Sequence, residues 1–145
     1  SFLDLTLQAG LLNTIPSDMP TAVFSDFNHD GFMDIFQWAL SGAPRLFMNN
    51  GAATGNTNQW LEVQLIGTTS NRDAVGARLV ANVNGVNLLR TVYNGGDYQG
   101  NSTLVQHFGL GTATTVPTLT ITWPSGKVQV LTNVASNQRL VVSEQ

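Results

Sequence analysis

The chain reads as all-β, and three observations carry that reading. Short runs of β-branched and aromatic residues alternate between apolar and polar, Gly, Pro, Asn and Asp punctuate them at close intervals, and no stretch keeps the period of an amphipathic helix. Many short strands separated by turn signals build an antiparallel sandwich or barrel. The expectation is an antiparallel β-sandwich over residues 60–145, preceded by a smaller β unit over 1–50 and a linker at 51–59.

In order, Phe2 to Thr6 alternates like a short strand and leads into a turn at Ala9, Gly10 and Leu11, while Pro16 and Pro20 bracket a loop. Thr21 to Asp26 and Asp34 to Leu40 are β-branched and aromatic, so the loop between them joins two strands. Arg45 to Asn49 follows a turn at Ser41 to Pro44 as a third. Residues 51–59 are polar and rich in Gly, Ala and Thr, which marks the boundary. Trp60 to Ile66 then alternates, placing Glu62 and Gln64 opposite Leu61, Val63 and Leu65. Ala77 to Val83 and Val86 to Tyr93 flank Asn84-Gly85, the dipeptide that most favours a type I′ hairpin turn. Further strands fit Thr103 to Phe108, Leu119 to Trp123, Val128 to Leu131 and Arg139 to Ser143.

The stretch Asp26 to Asp34 carries the strongest chemical signal. Asp26, Asn28, Asp30 and Asp34 stand at loop positions one, three, five and nine, with Gly31 at six. Ca²⁺ takes six to eight oxygens at about 2.3–2.6 Å, and a carboxylate-rich loop with a glycine at its bend supplies them, position seven adding a backbone carbonyl. Here that carbonyl belongs to Phe32. The loop is not an EF-hand, because position twelve is Gln37 rather than Glu and the flanks are strands. Without a cation, Asp26, Asp30 and Asp34 would crowd like charges together, so folding and Ca²⁺ are expected to be linked.

Composition excludes several functions. Charged residues are 10% of the 145, net charge is −3, and the six basic residues are scattered, so nothing grips nucleic acid. No apolar run approaches the roughly 20 residues of a membrane-spanning helix. Cysteine is absent, which removes disulfides, thiolate catalysis and zinc–thiolate sites. No signal peptide is recognisable, and the start at Ser1 rather than Met leaves removal of an upstream piece as an expectation.

Residues 1–50 resemble one FG-GAP or VCBS-type repeat, the blade of integrin-like β-propellers, whose calcium loop has the form Asp-x-Asp/Asn-x-Asp-Gly-x-x-Asp. From about Trp60 onward the chain resembles the ASPIC/UnbV domain that follows such repeats in cartilage-acidic-protein-like and bacterial secreted proteins. The strings carrying this are Asn71 to Arg78, His107-Phe108-Gly109-Leu110-Gly111 and Trp123-Pro124-Ser125-Gly126-Lys127, followed by Asn133-Val134 and Asn137-Gln138. The resemblance implies a secreted, calcium-binding, non-catalytic architecture. A lone blade departs from the propeller pattern, since repeat units need neighbours to cover both faces. Its partner would be the second half of this chain, further blades or another copy.

The remaining chemistry is thin. His29 sits at a non-ligating loop position and reads as a solvated turn residue, and His107, beside Phe108, as a packed one. No nucleophile-elbow motif is present. Of the carboxylates outside the loop, Asp73 reads as a turn residue pairing with Arg72 or Arg78, and Gly109 and Gly111 as a tight bend around Leu110. The polar loop Gly95 to Asn101 offers Asp97 and Tyr98 as a surface on which a sugar could stack and hydrogen-bond, with Trp38 or Trp60 as a platform. Asn101-Ser102-Thr103 is a glycosylation sequon. The expectation is therefore a Ca²⁺-stabilised extracellular structural or adhesion module, not an enzyme, that associates with further blades or copies; the alternative is a carbohydrate-binding module.

Overall fold

The computed structural model describes residues 3, 4, 8, 11, 21–40, 43–96 and 100–145, the side chain of Ala52 excepted. Among them run β1 (Thr21–Ser25), β2 (Asp34–Trp38), β3 (Arg45–Phe47), a 3₁₀ turn (Ala52–Thr54), β4 (Gln59–Ile66), β5 (Arg78–Val83), β6 (Val86–Thr91), β7 (Gln106–Gly111), β8 (Thr115–Thr122), β9 (Val128–Ala135) and β10 (Gln138–Ser143). The fold is all-β. The expected strand at Phe2 to Thr6 lies largely outside the described residues, as do the turn at Ala9-Gly10, both prolines of the following loop, and Asp97 and Tyr98.

Three sheets form, in the orders β1-β2-β3, β10-β4-β7 and β6-β5-β8-β9. The second and third are the layers of the sandwich. Alternation along β4 sends Leu61, Val63 and Leu65 inward, where they meet Leu79, Ala81 and Val83 of β5, Leu119 and Ile121 of β8, and Phe108 of β7. Each large apolar side chain buried this way contributes about 1.5–3 kcal/mol. Sheet edges are joined by Arg90 of β6, whose Nε donates to the His107 carbonyl at 2.8 Å while its guanidinium lies 5.3 Å from the Phe108 ring centroid.

The β5–β6 hairpin turns where expected, with Asn84 and Gly85 both at positive φ (50° and 79°) and Val83 facing Val86. Two expectations change. One strand pair, β4–β10, is parallel rather than antiparallel, because β10 enters this sheet only after the chain has built β8 and β9 in the other. β7 runs through Gly109 to Gly111 instead of bending there, its register slipping past Leu110 so that Trp60 faces Gly109 and Gln59 faces Gly111. Gly111, at φ 59°, takes up the irregularity. Strand β8 also accommodates Pro117, because β5 pairs with it only from Thr118 onward and asks no N–H of the proline.

Glu144 closes the sandwich at the far end of β10. Its buried carboxylate accepts from the backbone N–H of Thr68, Thr69 and Ser70 at 3.0, 2.8 and 2.7 Å and from the hydroxyls of Ser70 and Ser125. Burial pushes its pKa up, but the hydroxyl of Ser125 and the three N–H donors outweigh this and bring it down to about 2. Two loops distant in sequence, after β4 and after β8, are tied to one side chain. The turn at residues 71–75 is held by Asn71, which accepts from the Val75 N–H at 2.8 Å and donates to its carbonyl at 2.9 Å, while Asp73 is exposed.

Candidate metal centre

The loop Asp26 to Asp34 bridges β1 and β2, whose last ladder pair is Ser25 with Asp34. Its shape follows from side-chain oxygens capturing nearby backbone N–H groups, the habit of Asp and Asn in turns. Asp26 accepts from the N–H of Asp30 at 3.1 Å and of Gly31 at 2.7 Å. Asp34 accepts from Phe27 N–H at 2.9 Å and, fifteen residues on, from Asn49 N–H at 2.7 Å, which ties the exit of β3 to the loop. Asp30 accepts from Phe32 N–H at 2.9 Å and from the Asn28 side-chain amide at 2.8 Å. Asn28 Oδ1 in turn accepts from Asp30 N–H at 3.2 Å.

These bonds correct one expectation. The three loop aspartates do not crowd into one group, because backbone donors draw each carboxylate to a different part of the loop. Among the described residues the acidic and imidazole groups that do converge are Asp26, His29 and Glu62, whose ligand-type atoms all lie within 4.8 Å of one another. The donor set still fits a hard cation. Each carboxylate oxygen of Asp26 and Asp34 uses one lone pair on an N–H and keeps another, and Asp26 and Asp34 are nearly buried, at 4% and 0% exposed. Asp26, Asn28, Asp30 and Asp34, with the Phe32 carbonyl, are the residues that would hold Ca²⁺. Bound there, the ion would supply a positive centre for the charge of the three aspartates.

The loop is seated on the outer face of β4 and β7. Gly31 has φ 89°, and a Cβ there would fall inside the Trp60 indole. Its carbonyl pairs with His107 Nε2 at 2.9 Å. Phe32 packs on Gly51, where a Cβ would come within 2.6 Å of the ring. His107 is thus packed, as expected, but against the loop as well as within its strand.

Glu62 is what sequence reasoning missed. Its alternation with Leu61 and Val63 places it on the face opposite them, as read from the sequence, and there the loop covers it and leaves it 4% exposed. Its ladder neighbours are His107 on β7 and Arg139 on β10. Burial, and then the charge of Asp26, push its pKa up; Arg139, His107 and His29 pull the other way and do not overcome them. Among the described residues no hydrogen bond reaches its carboxylate, in contrast to the donors around Glu144, and its oxygens are not sealed from solvent. Nothing local in the sequence could signal this, since the burial comes from a loop some thirty residues upstream.

Of the other expected sites, Asn101 is exposed, its Nδ2 donating to Asn94 Oδ1 at 2.6 Å and its Oδ1 accepting from Gly95 N–H at 2.7 Å. Trp38 is 39% exposed and lines a groove of about 390 Å³ with Thr21, Val23, Phe36, Gly100 and Asn101. Trp60 lies under the Asp26–Asp34 loop and is no open platform.

The family model described as ASPIC and UnbV matches residues 67–145, more than half of the chain. The chain belongs to the ASPIC and UnbV family. The matched stretch takes in β5 to β10 and all three motif strings, and the turn at Ser125 in the third string shares Glu144 with Thr68 to Ser70, just ahead of the first. The N-terminal sheet, the Asp26–Asp34 loop and β4 precede the match. A search of curated proteins returns no match. Among the described residues no helix is long and apolar enough to cross a membrane.

Proposed function

We propose that this ASPIC/UnbV chain is a non-catalytic, Ca²⁺-stabilised structural or adhesion module of the extracellular space, in which residues 1–50 act as one FG-GAP/VCBS-type blade, 51–59 as a linker and 60–145 as the sandwich. The observation that carries the reading is the loop: four oxygen-bearing side chains organised by their own backbone N–H groups, each keeping acceptor capacity, at the spacing a calcium cage uses. Association with further blades or copies follows from the N-terminal sheet. Trp38 and Leu46 stand 39% and 49% exposed on one of its faces, and Phe24, 49% exposed, on the other. A sheet apolar on both faces asks for a neighbour on each. Size-exclusion chromatography with light scattering and negative-stain microscopy, with Ca²⁺ and with chelator, test this. Assemblies that form with Ca²⁺ and dissolve on chelation are expected, and a strict monomer at high concentration removes the assembly reading.

A second reading rests on the groove at Trp38. An exposed indole beside the Asn101 side chain gives a stacking face with an amide next to it, the combination that a sugar ring uses. On this reading Asp97 and Tyr98, which lie outside the described residues, are the further residues proposed for sugar binding. Glycan-array binding that Trp38→Ala abolishes supports it; an array silent for the native chain removes it.

A further inference from the structure

We propose that Asp26, His29 and Glu62 form a site for a divalent transition-metal ion of the Zn²⁺ class, separate from the calcium cage and placed across the seam between the metal loop and the sandwich. Three different residues bring ligand-type atoms within 4.8 Å of one another, two from the loop and one from β4. The set is mixed: two carboxylates and one imidazole. Imidazole nitrogen is a ligand for Zn²⁺ and its neighbours in the transition series, whereas Ca²⁺ prefers oxygen throughout. Three protein ligands with a fourth position open to water is an arrangement Zn²⁺ accepts, and His29, being exposed, leaves solvent access on its side.

Glu62 is the independent observation. A carboxylate that is buried for packing alone is costly unless donors surround it, as they surround Glu144. Glu62 is 4% exposed as a residue, no hydrogen bond among the described residues reaches its carboxylate, whose oxygens keep only a narrow contact with solvent, and it faces a second carboxylate, Asp26. Arg139 and His107 flank it, but the His107 Nε2 is committed to the Gly31 carbonyl and an Arg139 Nη donates to Gln64. A cation between Glu62 and Asp26 compensates both charges.

The site would work as a staple. Asp26 and His29 belong to the loop and Glu62 to the sandwich, so an ion bound by all three fixes the N-terminal sheet against β4. It does not depend on the calcium reading, because only Asp26 is shared and a carboxylate can offer one oxygen to each of two ions.

The experiment is isothermal titration of the metal-stripped full chain with Zn²⁺, then with Ca²⁺, for the native protein, Glu62→Gln and His29→Asn. The first substitution keeps the shape and removes the buried charge, and the second keeps a residue suited to positive φ. One Zn²⁺ per chain is expected, weakened about 100-fold or more in both variants, since even loss of a residue that merely supports a ligand costs 10–100-fold. The Ca²⁺ isotherm should be the same in all three proteins. Zn²⁺ binding that is absent, or unchanged in either variant, overturns the proposal. So does a Glu62→Gln variant whose Ca²⁺ affinity falls, which would assign Glu62 to the calcium cage. Zn²⁺ bound as expected with no Ca²⁺ heat would leave this site standing and remove the other.

Discussion

Replacing Gly31 by alanine sets a methyl group where the Trp60 indole already lies, at a residue whose φ is 89°. Two costs follow. An L-residue held in the left-handed region loses roughly 1–2 kcal/mol. Forcing an added carbon into a packed contact loses about 1–3 kcal/mol more, with neither the indole nor the backbone free to move while the Gly31 carbonyl is held by His107. Together these make about 2–5 kcal/mol, against the roughly 5–15 kcal/mol that a domain has in total. Urea unfolding followed by circular dichroism measures the loss. Trp60→Leu separates the two costs: in that background the steric part disappears and the backbone part remains, giving a coupling of about 1–3 kcal/mol in the double-mutant cycle. A Gly31→Ala protein within about 0.5 kcal/mol of the native one, or an equal loss in both backgrounds, refutes the docking of this loop on β4.

Further outcomes can be checked alongside it. Asp34→Ala strips the acceptor from Phe27 N–H and Asn49 N–H and should cost about 1.5–3 kcal/mol for each hydrogen bond to the carboxylate that is lost, read from the urea midpoint. Phe108→Ala, at the centre of the sandwich, should cost about 3–5 kcal/mol and also removes the ring under Arg90. For Glu144 the folded pKa of about 2 lies below the ordinary value of 4.5, so its contribution is complete above pH 4.5 and disappears as pH falls toward 2. Native protein should lose stability through that window, and Glu144→Gln, less stable at neutral pH, should flatten it. For a Ca²⁺ dissociation constant of about 10 μM, millimolar Ca²⁺ adds roughly 2.7 kcal/mol, so chelation should lower the melting temperature by several degrees.

Where a local rule decides the backbone, the sequence was readable. Asn84-Gly85 announces its hairpin because few residues other than Asn and Gly tolerate two successive positive φ values, and the inward run Leu61, Val63, Leu65 follows from the pleat alone. Strand limits failed where a turn-forming residue is carried inside a strand. Gly109 and Gly111 look like a bend yet lie in β7, and Asn133, at φ 54°, lies within β9, which continues four residues past the expected end at Leu131. The parallel pairing of β4 with β10 was hidden because it joins strands more than seventy residues apart. Around the candidate site the same division holds. That a loop joins β1 and β2 is legible from its Asp, Asn and Gly residues. The burial of Glu62 is not, since it comes from a loop docking from far upstream, and neither, elsewhere in the sandwich, is that of Glu144, which N–H groups and hydroxyls from two separate loops surround.

The most direct test of the calcium reading is titration calorimetry of the metal-stripped chain with Ca²⁺, repeated on Asp30→Ala. One ion per chain is expected for the native protein, with the heat lost in the variant while its circular dichroism stays that of a β-sandwich. No heat from the native chain, or an unchanged isotherm after loss of Asp30, would contradict it.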